Sequence, residues 1–100
     1  MIKHIVMWKL KDTYEGKNKQ EIATKIKEDL ESLKNVINKI KTIEVGINFN
    51  DSAQASDVVL YSEFENEDDL NTYQNHPEHI RVAGYVRNVN IERVVVDYTA

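Results

Sequence analysis

Apolar and polar residues alternate at the start of the chain. Ile2, His4, Val6, Trp8 and Leu10 fall on one face, and Ile5 and Met7 lie on the other between Lys3, Lys9 and Lys11. This period of two predicts a strand over residues 2–11. A polar turn, Asp12 to Lys17, follows with Gly16 as its breaker. From about Asn18 to Lys41 the period lengthens: Ile22, Ile26, Leu30, Leu33, Ile37 and Ile40 step by four, four, three, four and three residues. One apolar stripe results, and it predicts a long helix. Its opposite side carries Glu21 four before Lys25 and Lys27 four before Glu31, read as solvated ion pairs. Alternation returns at Ile43, Val45, Ile47 and Phe49 for a second strand, then a loop of turn-formers runs from Asn50 to Ser56. A third strand is expected from Asp57 to about Phe64. Glu67-Asp68-Asp69 opens a short helix that ends near Asn75. His76-Pro77-Glu78-His79 restarts a helix that runs to about Asn88, because proline suits a first helical position and pushes the residue before it out of the α region. Ile91 to Thr99 supplies the last strand.

The resulting order, β-α-β-β-α-β, is that of a ferredoxin-like α+β sandwich over residues 1–100, with four antiparallel strands in the order 4-1-3-2 and both helices on one face. Two helices cover only one side of such a sheet, so the other should be polar. Instead it presents Ile5, Met7, Val59, Tyr61, Val94, Val96 and Tyr98. A soluble monomer rarely exposes a patch of that kind, and no loop is long enough to cover it. The pattern therefore predicts a homodimer whose sheets pack face to face into an eight-stranded barrel.

Composition narrows the partners. The net charge is −4, and lysines in the first half are interleaved with Asp and Glu, which argues against nucleic acid. No apolar stretch is long enough to span a membrane. Lys3, His4 and Lys9 interrupt the first residues, so these are not read as a secretory signal. The chain has no cysteine, which excludes disulfides and thiol chemistry and suits a cytoplasmic address.

Histidines carry the candidate chemistry. If the first and last strands pair so that residue numbers sum to 101, His4 meets Asp97, Val6 meets Val95 and Trp8 meets Arg93. A carboxylate beside an imidazole fixes its tautomer and orientation. His79 falls in the first turn of the restarted helix, whose positive end disfavours imidazolium and leaves the ring neutral as a base. His76 reads as the cap. Its spacing from His79 would admit a metal from one helix face, but no third ligand is apparent and no metal is expected. Tyr73 precedes the same corner and offers a hydroxyl to a ligand.

The opening Lys3-His4-Ile5-Val6-Met7-Trp8-Lys9-Leu10-Lys11, the corner His76-Pro77-Glu78-His79 and the closing Val96-Asp97-Tyr98-Thr99 resemble the stress-responsive α/β-barrel domain family, known as Dabb. The resemblance spans the whole chain and implies a ferredoxin-like fold and a dimeric barrel. Some plant members are polyketide cyclases that close a ring by aldol chemistry with two histidines in a pocket between sheet and helices. By resemblance those histidines correspond to His4 and His79, with Asp97 as orienting partner and Tyr73 as a pocket tyrosine. A second pocket tyrosine of the cyclases falls at Ile26 here, which removes one polar contact. For His79 to meet His4, the His4 face must lie under the helices, leaving the Ile5 face for the dimer.

The expected pocket is small and apolar, lined by Val6, Trp8, Ile22, Ile26, Leu60 and Val95. Three functions compete for it. It holds a small apolar or aromatic metabolite without turnover, in a stress-related protein. Alternatively, His79 acts as a general base while His4, held by Asp97, stabilises a developing oxyanion, with no metal or organic cofactor. The third is a cofactor-free monooxygenase of the same superfamily, which no motif favours over the others.

Overall fold

The computed structural model describes residues 1–100. Strand β1 spans Ile2–Leu10, and a small hairpin of β2 (Thr13–Tyr14) and β3 (Lys17–Asn18) leads into helix α1, Lys19–Ser32. Strands β4 (Thr42–Ile47) and β5 (Val58–Phe64) follow, then helices α2 (Glu67–Asn75) and α3 (Pro77–Val89), and finally β6 (Asn90–Thr99). The four long strands form one antiparallel sheet in the order β4-β5-β1-β6, the ferredoxin-like arrangement expected from the element order. No helix is long and apolar enough to cross a membrane.

The hairpin replaces the expected open turn. Glu15 (φ 48°) and Gly16 (φ 80°) both adopt positive φ, the geometry of a two-residue turn matched to strand twist. Asn18 then caps α1: its side chain accepts from the Glu21 N–H at 2.9 Å, while Glu21 accepts from the Asn18 N–H at 3.0 Å. Glu21 is thereby engaged with the cap, and Lys25 pairs with Asp29 at 2.9 Å instead.

Helix α1 stops at Ser32, well short of Lys41, and continues as a 3₁₀ turn over Leu33–Asn35. Asn35, the β-branched Val36 and Ile37, and Asn38 are all weak helix formers. The apolar stripe nevertheless stays inside, since Ile37 and Ile40 are buried from the turn that follows. The pair Lys27–Glu31 is not simply solvated either. Lys27 donates to the Val45 carbonyl at 2.7 Å and Glu31 accepts from the Val45 N–H at 3.0 Å, so one ion pair saturates backbone groups on the sheet edge. Strand β4 ends at Ile47, before Phe49, which is 99% exposed. Asn48 and Asn50 turn the chain there by accepting from the N–H groups of Asn50 and Ser52, both at 2.9 Å.

The helices cover the face bearing Ile2, His4, Val6, Trp8 and Leu10, all buried. The other face carries no helix: Met7, Val94, Val96 and Tyr98 are 40–49% exposed, and Ile5, Val59 and Tyr61 are half-buried beside them. Lys3, Glu63 and Tyr61 are joined by an ion pair and a 2.8 Å hydrogen bond on this side, at one edge of the apolar patch.

Candidate active-site cavity

The register between β1 and β6 places His4 opposite Asp97, Val6 opposite Val95 and Trp8 opposite Arg93, as the alternation predicted. His4 is buried, and its Nδ1 hydrogen-bonds to the Asp97 carboxylate. An ionised carboxylate only accepts, so Nδ1 carries the proton and Nε2 is left as the free ring nitrogen. On the other side of β1, Ser62 is fully buried and donates to the His4 carbonyl at 3.0 Å, fixing the backbone beneath the ring. A serine in an alternating strand reads as an ordinary inward polar residue, and only the pairing with His4 distinguishes it.

His79 comes from the corner between α2 and α3. Pro77 holds His76 in an extended conformation (φ −67°, ψ 135°), so α2 ends and α3 begins at one residue. His76 caps α3, its Nδ1 accepting from the Glu78 N–H at 3.1 Å. The break leaves the Gln74 carbonyl without its helical N–H partner, and the Nδ1–H of His79 donates to it at 3.1 Å. His79 therefore also presents Nε2 as an acceptor. Burial, first of all, pushes its pKa below 6.5; the Gln74 bond opposes that shift, and the charges of His4, Arg93 and His76 add to it. Neutrality thus follows chiefly from desolvation, where the sequence suggested the helix dipole.

Tyr73 connects the two histidines. Its ring lies 4.4 Å from that of His79 and 6.3 Å from that of His4, centroid to centroid, and packs on Phe64 at 4.9 Å. The residue is fully buried, and no protein group hydrogen-bonds its hydroxyl. Burial raises its pKa, so the hydroxyl remains a donor at neutral pH.

These three side chains line a cavity of about 340 Å³ between the sheet and α3. Of the apolar positions expected there, Val6, Trp8 and Leu60 line it, while Ile22, Ile26 and Val95 do not. Ile22 and Ile26 are fully buried where α1 packs over β4, so only Leu30, two turns along from Ile22, reaches the cavity. Val95 sits on the edge strand and is 48% exposed. The remaining wall comes from α3 and the start of β6: Ala83, Val86, Arg87, Asn90 and Arg93. The sequence reading missed these, although Ala83 and Arg87 stand four and eight residues after His79 on one helical face.

The arrangement sets the Nε2 of each histidine and the Tyr73 ring at one end of a mostly apolar chamber, where His79, its pKa lowered, is able to accept a proton. The chain is similar in structure to a dimeric protein of unknown function with a ferredoxin-like fold from Bacteroides fragilis (TM-score 0.87, 37% identity, 99% of this chain and 95% of that one). It is also similar to the hydroxynitrile lyase of Passiflora edulis (TM-score 0.82, 21% identity, 97% and 90%) and to an antibiotic biosynthesis monooxygenase (TM-score 0.77, 14% identity, 100% and 98%). At those identities the last two likenesses are of fold alone. None of the curated proteins is detectably similar to the chain in sequence. The model of the stress responsive A/B barrel domain matches residues 2–100, and the chain belongs to that family.

Proposed function

We propose that the protein is a homodimer, joined through its uncovered sheet face, whose subunits each hold a small, largely apolar metabolite in the cavity between sheet and α3. The single observation that carries the ligand reading is Tyr73, a residue of the cavity wall whose hydroxyl is fully buried and has no protein partner. A buried polar group without a partner is costly, and a bound carbonyl or hydroxyl at that point offsets the cost. The apolar, exposed patch of Met7, Val94, Val96 and Tyr98 supports the dimer, as does the dimeric state of the Bacteroides fragilis neighbour.

A second reading, turnover of that ligand, is favoured by His79. Its Nδ1–H is tied to Gln74 and its pKa is lowered, which leaves Nε2 as an unprotonated base near pH 7 on a ring packed against that of Tyr73. Proton abstraction from an acidic C–H or O–H by His79, with the Tyr73 hydroxyl donating to the oxyanion, requires no cofactor; His4, whose ring proton is held on Nδ1 by Asp97, has none to give it. The fold hosts a lyase and a monooxygenase among its neighbours, so the residues and not the architecture support this reading.

The test is a survey of small aromatic and carbonyl metabolites followed by the fluorescence of Trp8, the only tryptophan, which lines the cavity. Binding to the wild type and its loss in Ala83→Phe, which fills the chamber from α3, is the expected result. A ligand that binds both equally, or none at all, overturns the cavity reading. For turnover, His79→Ala should lower the rate on an identified substrate at least a hundredfold while affinity stays within a few-fold; unchanged turnover ends that reading. Light scattering at micromolar concentration that reports a particle of 11.6 kDa overturns the dimer.

A further inference from the structure

The chain contains three arginines. Arg81 pairs with Glu78 at 2.8 Å. The other two, Arg87 and Arg93, both line the cavity, and neither guanidinium has an ion pair or hydrogen bond with any protein group. No aspartate or glutamate lines that cavity, although the chain as a whole carries a net charge of −4. Most lysines, by contrast, meet a carboxylate, as Lys9 meets Glu92 and Lys19 meets Asp57. The positive charge of the cavity is thus local and uncompensated.

Its position along the cavity is fixed by two independent frames. On α3, Arg87 lies eight residues beyond His79, a rise of about 12 Å. On the sheet, Arg93 pairs with Trp8, four residues from the His4–Asp97 pair, about 13 Å along the strands. Helix and sheet therefore set both arginines at the end opposite the histidines and Tyr73, with Val6, Leu60 and Ala83 between. The long arginine stems shorten the gap, and the charge of Arg93 is felt at His79.

We infer that the cavity selects an elongated, largely apolar molecule bearing one anionic group, a carboxylate or a phosphate, which Arg87 and Arg93 bind while the far end of the molecule lies against Tyr73 and His79. A guanidinium donates paired N–H groups in a fork that matches either anion, and two exposed ones lining one cavity without a protein carboxylate leave that capacity to the ligand. This inference rests on the cavity being a ligand site, as proposed above.

The experiment titrates the full chain with octanoate, octyl phosphate and 1-octanol, followed by Trp8 fluorescence at fixed ionic strength. The three probes share an eight-carbon chain and differ in the head group. An anionic probe should bind at least tenfold more tightly than 1-octanol, and the tighter of octanoate and octyl phosphate identifies the anion. The double variant R87Q/R93Q should lose that advantage while keeping its affinity for 1-octanol within threefold. Arg81→Gln, which lies outside the cavity, should change neither. Equal binding of all three probes to the wild type, or an anion advantage that survives in the double variant, overturns the arginine inference and leaves the cavity reading standing. If no probe perturbs Trp8 and none protects the wild type against thermal unfolding, both fall together.

Discussion

Replacing Tyr73 by Phe should separate the fold's needs from the ligand's. The ring packs against Phe64 and His79, and phenylalanine retains those contacts, so the substitution removes one oxygen atom and little else. That oxygen is buried and makes no hydrogen bond to the protein. Leaving such a group unsatisfied costs about 1–3 kcal/mol, and hydration of the cavity lowers that figure. Tyr73→Phe should therefore leave the unliganded protein as stable as wild type or stabilise it by up to about 1–2 kcal/mol. For a chain of this length each kcal/mol moves the midpoint by roughly 4–8 °C. Affinity for a ligand that uses the hydroxyl should fall by about 1 kcal/mol, or roughly fivefold. Calorimetry of the free protein gives the first quantity and Trp8 titration the second. Both must be run at one protein concentration, because association shifts the midpoint by mass action. A variant that melts more than about 4 °C below wild type, with an unchanged circular dichroism spectrum, would refute the reasoning, since the hydroxyl would then be satisfied within the native protein.

Other consequences are equally direct. His79 has a folded pKa below its unfolded value of 6.5, so the unfolded chain binds more protons between those values. Its contribution to stability should be complete above pH 6.5 and decline as pH falls toward the folded pKa, and His79→Gln should flatten stability over that window in urea melts at stepped pH. Asp97→Ala should remove the acceptor that holds the His4 Nδ1 proton, seen as loss of a single tautomer in ¹⁵N spectra of the ring, with the fold retained; an unchanged tautomer would refute the orienting role. Val96→Asp places a charge on the exposed sheet face and should halve the particle mass in analytical ultracentrifugation while leaving the ligand cavity, on the opposite side of the sheet, able to bind.

The sheet was legible because its information is local and redundant. Alternation in the first and last strands specifies both the partner and the register, and a slip by one residue would have exposed Val6 and Trp8. The His76-Pro77 corner was legible for a similar reason, since proline constrains its neighbour whatever surrounds it. The cavity wall was read less well. Ile22 and Ile26 belong to the apolar stripe of α1, but which part of a stripe faces a cavity depends on how the helix crosses the sheet, and the period does not encode that angle. Arg87 and Arg93 stood on a helix and an edge strand, where arginine is ordinarily solvated. Only the arrangement of the two elements shows them converging on one space with no carboxylate among them. The end of α1 was missed because Ile37 and Ile40 stay buried without staying helical, so the hydrophobic spacing outlasts the hydrogen-bonding pattern.

The polar end of the cavity depends on an interruption of the backbone more than on any side chain within it. Had α2 continued through residue 76, the N–H of Glu78 would have bonded the Gln74 carbonyl four residues back, as in any helix. Pro77 prevents this by holding His76 extended, and the Glu78 N–H turns to the His76 ring instead. The carbonyl so released has one strong donor within reach, the Nδ1–H of His79, and accepting from it fixes the tautomer that presents Nε2. The same break starts a new helix at a new angle, which carries Ala83 and Arg87 along the cavity wall behind His79. One proline therefore sets a proton position, a ring orientation and the path of the wall. His76 and His79 thus both bond the backbone through Nδ1, one accepting and one donating, but only His79 joins His4 on the cavity wall.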